Sequence, residues 1–469
     1  MDIKSILRNI KRKGIVQTAA IYKNRKEYHI RKEEYRKTLA YNDNQYRNRP
    51  FLKLDTTAAK RAYLDVLFEK ELALQKENKK QLNRYKREMK ELYVKERIPQ
   101  MYAEYSKLPV QEKVIFMENG NSPSPSSSYI AKQIKKQGCY RVVYSGLKIR
   151  QISQIEYFEN ALEFIKELAT AKAVFLSTAN DLLSQFDVRP ETKVIQLWHG
   201  VGVFKKVGYS TVDNKNFGLD LKTRMEYNQY RNYDYVTIAA EEQSWIFEEA
   251  MNIPKDSGVI VPVGVSRTDV FYQEEYIQRA YQKLYRNFPQ IKGKKIILYA
   301  PTFRGAVADA QAPNELDINA FAKNLSDDYV LIIKHHGLSQ NVPPIPEHLE
   351  NVFAFDLGKN KVLSIEALLA IADICITDYS SIAFEYAIME RPILFFAYDL
   401  EDYIDQRGLY YPYDEITPGP VCRTNQEMID YIVHIEERFD KQEILDFKQK
   451  YVGACDGHAT ERTIALIES

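Results

Sequence analysis

Candidate acid–base and anion-binding side chains stand directly after one apolar segment of this chain. His199 follows VIQLW (residues 194–198), and the next nine residues contain three glycines and two lysines, Lys205 and Lys206. An imidazole, with an ordinary pKa of about 6.5, can take a proton from a hydroxyl at neutral pH, and lysines favour anions. The pattern predicts a base beside a flexible, cationic loop. The alternative is a histidine with a core or capping role.

The same kinds of side chain follow three other apolar segments. They are Thr302 and Arg304 after KIILYAP, Lys334, His335 and His336 after YVLII, and Asp378, Ser380 and Ser381 after ICIT. The two serines precede a helical pattern, where free backbone N–H groups favour an anion, although simple capping by serine explains the same pattern. Together with Arg304 and Lys334, the serines indicate a site for a phosphate or diphosphate.

Eleven short apolar segments alternate with helical patterns from Lys113 onward. They cover residues 114–120, 140–146, 173–179, 194–200, 235–241, 259–265, 295–303, 329–336, 351–356, 374–380 and 392–399. Such segments are typical of parallel strands covered on both faces. Because the pattern breaks over residues 266–294, we predict an α/β fold of two doubly wound Rossmann-like domains facing a cleft, residues 113–270 and 271–469. Ligands bind such sheets beyond the carboxyl ends of the strands, where the side chains above fall.

Residues 1–112 differ from the rest of the chain in charge and pattern. The first hundred residues contain 27 basic and 13 acidic side chains, whereas the remainder contains 39 and 51. This asymmetry favours a polyanionic partner: phospholipid, nucleic acid or an anionic polymer. Aliphatic residues at helical spacing among basic ones over residues 3–13 predict a membrane-surface helix, or else a helix docked on the protein itself. A long helix is predicted from about Thr57 to Tyr105, as a strut or half of a hairpin.

Several classes of site and segment are disfavoured by the sequence. Four scattered cysteines predict reduced, mostly buried thiols. No segment reaches the roughly 18 apolar residues of a membrane span, and we identify no signal peptide. No metal-ligand spacing, phosphate-binding P-loop or nucleophile elbow is evident, so we expect no tightly bound metal. The segment SPSPSSS (residues 122–128) predicts a flexible lid, an acceptor-side loop or a mobile surface loop.

Seven motifs occur in a fixed order between residues 198 and 462. They are WHG-x-G-x-x-K-K-x-G (198–208), APTFRG (300–305), K-x-H (334–336), TDYSS-x-x-FE (377–385), D-x-x-x-Y with a following RG (399–408), PGP (418–420) and DG-x-A-x-x-R (456–462). As an ordered set, they resemble the CDP-glycerol glycerophosphotransferases of teichoic acid synthesis. The resemblance covers about residues 113–465 and leaves the N-terminal helical region outside.

The resemblance implies a fold, a reaction and a location. The fold is GT-B-like, preceded here by a basic helical region of residues 1–112. The reaction transfers glycerol phosphate from CDP-glycerol, or ribitol phosphate from CDP-ribitol, to a hydroxyl of a polyprenyl-diphosphate-linked saccharide or polymer, and releases CMP. The enzyme would work without a cofactor at the cytoplasmic face of the membrane, as a peripheral protein on an anionic surface. No nucleic-acid partner is expected.

The same resemblance assigns roles to individual residues. The general base matches His199, and the histidine of K-x-H matches His336 rather than His335. Arg304, Ser380 and Ser381 match family residues that hold the donor's phosphates. From their positions after predicted strands we add Thr302, Lys334, Asp378 and Glu385 to the predicted donor and phosphate site, and we expect Lys205 and Lys206 to stabilise charge on the acceptor side. This chain departs from the family pattern at two places: Val201-Gly202 replaces a common Thr-Pro, and Gly337 replaces a common proline.

Two other functions compete with this interpretation. A GT-B glycosyltransferase with a nucleotide-sugar donor would have the same fold, because a fold does not determine a reaction. A non-catalytic adaptor for membranes or nucleic acids would explain the basic N-terminal region but not the side chains at the strand ends. Glycerol and ribitol phosphate, and a primase and a polymerase, are not distinguished by the sequence.

Overall fold

The computed structural model describes residues 19–37, 56–120, 122–147, 152–212, 219–305, 309–358 and 362–469. The helix predicted over residues 3–13 lies outside these residues. The chain divides into two compact units. The helical unit comprises residues 1–109, 118–122 and 145–170, and the larger unit, with residues 110–117, 123–144 and 171–469, contains nearly all of both sheets.

The helical unit consists of several helices rather than one long one. Its described helices are residues 19–37, Thr57–Glu77, Lys79–Lys90, a π-helical segment Glu91–Arg97 that continues into Ile98–Tyr105, and Gln154–Leu168. The prediction of a continuous helix from Thr57 to Tyr105 was wrong at Asn78. There the backbone leaves the helical region (φ −153°, ψ 87°), and the Asn78 side chain accepts a hydrogen bond from the Gln81 N–H at 3.2 Å. Asparagine is favoured at a helix N-cap for this reason.

Two six-stranded sheets form the framework of the larger unit. The strands are β1 Gln111–Glu118, β2 Arg141–Gly146, β3 Ala171–Leu176, β4 Lys193–Gln196, β5 Tyr235–Thr237, β6 Ile260–Val261, β7 Lys295–Tyr299, β8 Tyr329–Ile333, β9 Ala354–Asp356, β10 Ile374–Thr377, β11 Ile393–Phe396 and β12 Val421–Cys422. All eleven predicted strands are confirmed. The twelfth, β12, has only two residues and gives no apolar segment that sequence reasoning could detect.

The strand order reverses once within each sheet, between β1 and β3 in the first and between β10 and β7 in the second. The first sheet has the order β2-β1-β3-β4-β5-β6 and the second β12-β11-β10-β7-β8-β9. The pairs flanking the second reversal are parallel, with Tyr299 of β7 beside Ile333 of β8 and Ile376 of β10. In doubly wound sheets such a reversal opens a crevice beyond the carboxyl ends of the two strands. The segments after β7 and β10 therefore define where a ligand would bind.

Helices cover both faces of the second sheet. Ile296 and Leu298 of β7 pack into one apolar core, whereas Ile297 and Tyr299 pack into another. This burial on two sides explains why the strands read as continuous apolar segments. The described helices of the larger unit are Pro125–Gln137, Leu221–Glu226, Ser244–Met251, Glu274–Asn287, Ile318–Leu325, Ile365–Ile371, Ile382–Ala387, Leu400–Arg407, Asn425–Val433, Ile435–Arg438, Lys441–Val452 and Ala459–Ala465.

The serine-rich segment SPSPSSS begins a helix, so the prediction of a flexible loop was wrong. Ser124 is the N-cap of Pro125–Gln137, and its Oγ accepts a hydrogen bond from the Ser127 N–H at 3.3 Å. Proline is well suited to the first helical position because its missing N–H would be unpaired there anyway. Ser126 and Ser127 are buried.

The C-terminal segment returns to the first sheet. Leu466 and Ile467 pack in the same core as Val114 and Phe116 of β1. Asp269, after β6, accepts hydrogen bonds from the Ala459 and Thr460 N–H groups at 3.0 and 2.8 Å, which caps the helix Ala459–Ala465. The DG-x-A-x-x-R motif is part of this connection, since Arg462 pairs with Asp456 at 2.7 Å. That motif therefore has a structural role here.

The cysteines lie mostly in the core, as predicted. Cys375, Cys422 and Cys455 are buried free thiols, and Cys139 is an exposed one. Within the part of the chain that the structure describes, no helix combines the length and the apolar character that a membrane crossing requires.

Candidate active site

A cavity of about 520 Å³ lies in the larger unit at the carboxyl ends of strands from both sheets. It is lined by segments that follow β4, β6, β7, β8 and β10. Eight residues predicted for the site line it: His199, Lys205, Thr302, Lys334, His336, Ser380, Ser381 and Glu385. Lys206, Arg304 and Asp378 are not among its described lining residues. The strand-end rule thus brings together most of the predicted side chains.

A strained turn holds His199 at the cavity. Strand β4 ends at Gln196, and Trp198 has a positive φ of 56°, which is uncommon for a residue other than glycine. The Gln196 side chain accepts a hydrogen bond from the Trp198 N–H at 2.9 Å and so stabilises the turn. The Trp198 and His199 rings then lie side by side, with centroids 4.4 Å apart. Strain of this kind persists where the surrounding structure requires one geometry.

The environment of His199 favours its neutral form. His199 lines the cavity and is exposed to solvent there, although much of the ring is surrounded by protein atoms. Burial lowers the pKa of His199 from its ordinary value, and the positive charge of Arg267 lowers it further. At neutral pH the imidazole is therefore unprotonated and able to accept a proton. A buried histidine with a carboxylate partner would instead have a raised pKa.

Gly202 lets the His199 loop pack closely against the segment after β10. A Cβ on Gly202 would lie 2.2 Å from the Cγ of Phe384, whereas a Cβ on Gly200 would make only an ordinary contact with the Ser381 Oγ, at 3.6 Å. No side chain could occupy the first position without displacing the Phe384 ring. Glycine at 202 thus lets the loop that carries His199 approach the helix Ile382–Ala387.

His336 lies beside Lys205 in the same cavity. Burial lowers the pKa of His336, and Lys205 lowers it further. Its Nδ1 accepts a hydrogen bond from the Leu338 N–H at 3.2 Å, so the neutral ring carries its proton on Nε2. That tautomer can donate a hydrogen bond but cannot accept a proton at Nε2. His336 therefore differs chemically from His199, although both line the cavity.

The two lysines of the loop have different positions. Lys205 lines the cavity, with its Nζ 5.4 Å from the centre of the Tyr403 ring. The Lys206 side chain lies against Gly408, and its backbone N–H donates to the Gly408 carbonyl at 3.2 Å. Lys206 thus holds the loop against Gly408, and of the two lysines only Lys205 lines the cavity.

Arg304 forms ion pairs with two carboxylates behind the cavity wall. Its guanidinium donates to Asp399 through Nε at 2.5 Å and Nη2 at 3.0 Å, and to Asp378 through Nη1 at 2.9 Å. Asp378 also accepts from the backbone N–H groups of Thr302 and Tyr379. In this arrangement both residues hold together the segments after β7 and β10. Their contact with a donor phosphate stays a prediction.

The serine pair contributes hydroxyl groups rather than a strong helix dipole. The helix Ile382–Ala387 has only six residues. The Ser380 Oγ accepts from the Ile382 N–H at 3.3 Å, so the capping alternative applies to this serine. Ser381 makes no side-chain capping bond. Lys334, which also lines the cavity, donates from Nζ to the Leu357 carbonyl at 2.8 Å, which fixes its position.

Arg267 is a lining residue that sequence reasoning missed. Its Nη2 pairs with the carboxylate of Glu385, a side chain that is only 3% exposed. Arg267 Nε and Thr302 Oγ1 are both buried and have no hydrogen-bond partner among the described residues. Buried polar atoms of this kind indicate a ligand or water that would satisfy them. Arg267 stands two residues after VIVPVGV, so the strand-end rule, applied to β6 as well, would have found it.

The described residues contain no group of three or more His, Cys, Asp or Glu side chains placed to hold a metal ion. The positive charges at the cavity belong instead to Lys205, Arg267 and Lys334.

The family model described as "CDP-Glycerol:Poly(glycerophosphate) glycerophosphotransferase" matches residues 100–469. The chain belongs to this family. It is 32% identical over 371 residues to the teichoic acid ribitol-phosphate primase of Bacillus spizizenii, covering 77% of this chain and 92% of that protein. It is 32% identical over 351 residues to the teichoic acid glycerol-phosphate primase of Bacillus subtilis, covering 71% of this chain and 87% of that protein.

A longer relative is matched over part of its length. The teichoic acid poly(ribitol-phosphate) polymerase of Bacillus spizizenii is 34% identical over 301 residues, which cover 64% of this chain but 47% of that protein. The structure of the wall teichoic acid polymerase TagF is similar to this one with a TM-score of 0.64 at 23% identity, covering 81% of this chain and 95% of that one. The family resemblance and the GT-B-like fold are therefore confirmed.

Proposed function

We propose that this family member transfers glycerol phosphate or ribitol phosphate from a CDP-alcohol to a hydroxyl of a teichoic acid acceptor and releases CMP. The observation that carries the proposal is the cavity in which a neutral histidine, His199, lies with the cations of Arg267, Lys205 and Lys334. A transfer to a hydroxyl needs a proton acceptor beside sites for phosphate charge, and this cavity contains both.

The proposed reaction balances with His199 as the base. The acceptor hydroxyl oxygen attacks the phosphorus that carries the alditol, and the bond from that phosphorus to the oxygen of CMP breaks. The hydroxyl proton passes to the His199 imidazole, and CMP leaves with the electron pair of the broken bond. Negative charge develops on the phosphate oxygens, and Arg267 and Lys334 stabilise it. His336 donates a hydrogen bond from Nε2–H to one of these oxygens.

Family membership favours this reaction over the alternative of a nucleotide-sugar glycosyltransferase. The chain is 32% identical in sequence both to a ribitol-phosphate primase and to a glycerol-phosphate primase. We therefore keep both CDP-alcohols as candidate donors, with a polyprenyl-diphosphate-linked saccharide or polymer as the acceptor.

The test is product analysis with purified protein, both CDP-alcohols and a lipid-disaccharide acceptor. We expect one donor to give an acceptor heavier by one alditol phosphate, and His199→Ala to reduce turnover by about 10²- to 10⁴-fold. Donor affinity should change little, because the base faces the acceptor. His348→Ala is the matched control, since His348 is exposed and outside the cavity lining. Normal turnover by His199→Ala would refute the role of His199, and transfer of a sugar would refute the proposed reaction.

We also propose that the transfer needs no tightly bound metal, because protein cations surround the cavity. Activity should persist in excess chelator. Complete loss that only a divalent ion restores would contradict this proposal.

The proposed location is the cytoplasmic face of the membrane, as a peripheral protein bound through the basic residues of its N-terminal region. The segment 1–13 is the candidate contact. Its deletion should reduce flotation with anionic liposomes at low salt while sparing transfer to a soluble acceptor. Equal flotation of the full and shortened chains would place the contact elsewhere.

A further inference from the structure

The helix Lys79–Lys90 presents a basic surface that the cavity chemistry does not use. It belongs to the helical unit, outside residues 100–469 of the family match. Leu82 and Met89 bury its apolar side. On the other side its exposed residues are cationic or carboxamide side chains, among them Lys80, Arg84 and Arg87 at the spacing of one helix face.

Most cations of this surface have no carboxylate partner among the described residues. On the helix over residues 19–37, by comparison, Lys32 and Arg36 both pair with Glu69. On the helix Lys79–Lys90, Arg84 pairs with Glu88 at 2.8 Å. Among the residues that the structure describes, none forms an ion pair with Lys79, Lys80 or Arg87. The charges of Lys79, Lys80 and Arg87 are therefore available to an anionic partner.

The surface is concave, and every described residue that lines it ends in a charged or carboxamide group, although the aliphatic stems of these side chains form most of the lining. A depression of about 650 Å³ is lined by Lys79, Lys80, Gln81, Asn83, Arg84 and Arg87, which we call the basic groove. A flat bilayer surface does not fill a depression, and a helix that inserts into lipid needs an apolar face, which this helix has buried in the protein. An extended polyanion can enter a groove and pair with successive cations.

We propose that the basic groove binds a strand of poly(alditol phosphate), the polymer type that the proposed function would start or extend. The four cations pair with phosphodiester groups, and the side-chain amides of Gln81 and Asn83 hydrogen-bond the hydroxyls of the alditol units. The presence of both cations and carboxamides suits a polymer that contains both phosphate and polyol groups. The inference rests on the proposed function for the identity of the polymer.

The test measures binding of a soluble glycerol-phosphate or ribitol-phosphate oligomer to the full chain carrying His199→Ala, without CDP-alcohol. Adding Lys80→Gln, Arg84→Gln and Arg87→Gln should weaken binding by about tenfold or more. The matched control is Lys23→Gln, Lys26→Gln and Lys37→Gln, which removes the same charge from exposed lysines of the helix over residues 19–37. The control should keep its affinity within about twofold. Equal losses in both triple variants would overturn the proposal, because net charge alone would explain them.

Two further probes test the chemistry of the ligand. Asn83→Ala should weaken oligomer binding several-fold but leave binding of inorganic polyphosphate unchanged, since polyphosphate has no hydroxyls for the amide. Anionic vesicles should bind the groove triple variant as well as they bind the parent chain. A groove variant that loses vesicles but keeps the oligomer would identify a membrane surface instead and overturn the proposal.

Failure of the groove and failure of the proposed function give different results. With His199 intact, the groove triple variant should release CMP normally with a single-unit acceptor. Normal CMP release together with unweakened oligomer binding would reject the groove alone. Absence of alditol-phosphate transfer by the unsubstituted chain would reject the proposed function, whatever the oligomer binds.

Discussion

Each of the two cavity histidines has its own neighbouring cation. Arg267 lowers the pKa of His199, and Lys205 lowers the pKa of His336. The two rings can therefore be distinguished by pH, because removing one cation changes the titration of one histidine only. The pH dependence of variants that lack one of the two cations can therefore show which histidine is the base.

The pH dependence of kcat/KM should identify His199 as the base. The base must be neutral, so activity should fall only below its lowered pKa, at a pH under 6.5. Arg267→Gln removes a positive charge and raises the pKa of His199, which moves the acid limb to higher pH. Lys205→Gln should leave the limb in place. A limb that moves with Lys205→Gln instead would assign the base to His336.

Arg304 should matter for stability as well as for activity. Arg304→Ala leaves the buried Asp378 without its ion pair and also unpairs Asp399. Removing one partner of a buried pair typically costs about 3–5 kcal/mol. We expect a lower denaturant midpoint in urea, measured by fluorescence, together with weaker donor binding. Arg423→Ala is a control, since it removes an ion pair to Glu401 that is more exposed. An unchanged midpoint for Arg304→Ala would show that the network contributes little.

The sequence predicted which residues lie at the cavity more accurately than it predicted the interactions that these residues form. His199, Lys334 and Ser381 were placed correctly because the carboxyl ends of parallel strands share one edge of a sheet. Arg304 also follows the end of a strand, but its guanidinium forms ion pairs with Asp378 and Asp399. Which of several nearby charges pair with each other depends on side-chain geometry that spacing along the chain does not determine.

At the scale of elements, Gly202 sets the contact between the His199 loop and the helix Ile382–Ala387. Gly202→Ala would place a methyl group 2.2 Å from the Phe384 Cγ, so the loop or the ring must move. Overpacking of this kind costs about 1–3 kcal/mol, and we expect a lower kcat with a smaller change in thermal stability. Phe384→Leu should restore part of the activity of Gly202→Ala by making room. The absence of any rescue would mean that the glycine acts through backbone conformation instead.

The strands were predictable from the sequence where both faces of the sheet are buried. Ile296 and Ile297 enter cores on opposite faces of the second sheet, which produces the continuous apolar segment of β7. The break at Asn78 was missed because the residues on both sides are mostly polar. One more polar residue there does not interrupt the spacing of the apolar residues from which the helix was predicted. The SPSPSSS segment was misread because serine and proline favour loops and helix starts alike.

At the scale of the whole molecule, the helical unit should depend on pH through Glu71. Burial raises the pKa of Glu71 to about 7, against an ordinary 4.5. The folded unit therefore binds more protons than the unfolded one between these values, and its stability falls as pH rises through this window, by on the order of 2–3 kcal/mol. Glu71→Gln should remove this decline, because the amide oxygen can still accept from the Gln154 N–H. Hydrogen exchange of the helix Thr57–Glu77 at pH 5 and pH 8 measures it.

Glu69 provides a control of opposite sign for that experiment. Hydrogen bonds from Arg36 lower the pKa of Glu69, so its contribution is present at high pH and is lost on acidification. Glu69→Gln should therefore make exchange faster at pH 8, where Glu71→Gln makes it slower. The same direction of change in both variants would show that the helix responds to net charge rather than to the environment of each carboxyl.

The return of Leu466 and Ile467 to the core of the first sheet has a consequence for synthesis on the ribosome. That core includes Val114 and Phe116, which emerge long before its final members. At about 5–20 residues per second, the roughly 350 intervening residues take on the order of 20 to 70 s to translate. During this time the face of β1 that these residues will cover is open to chaperones. Nascent chains stalled before residue 459 should recruit them, whereas chains extended past Ile467 should release them.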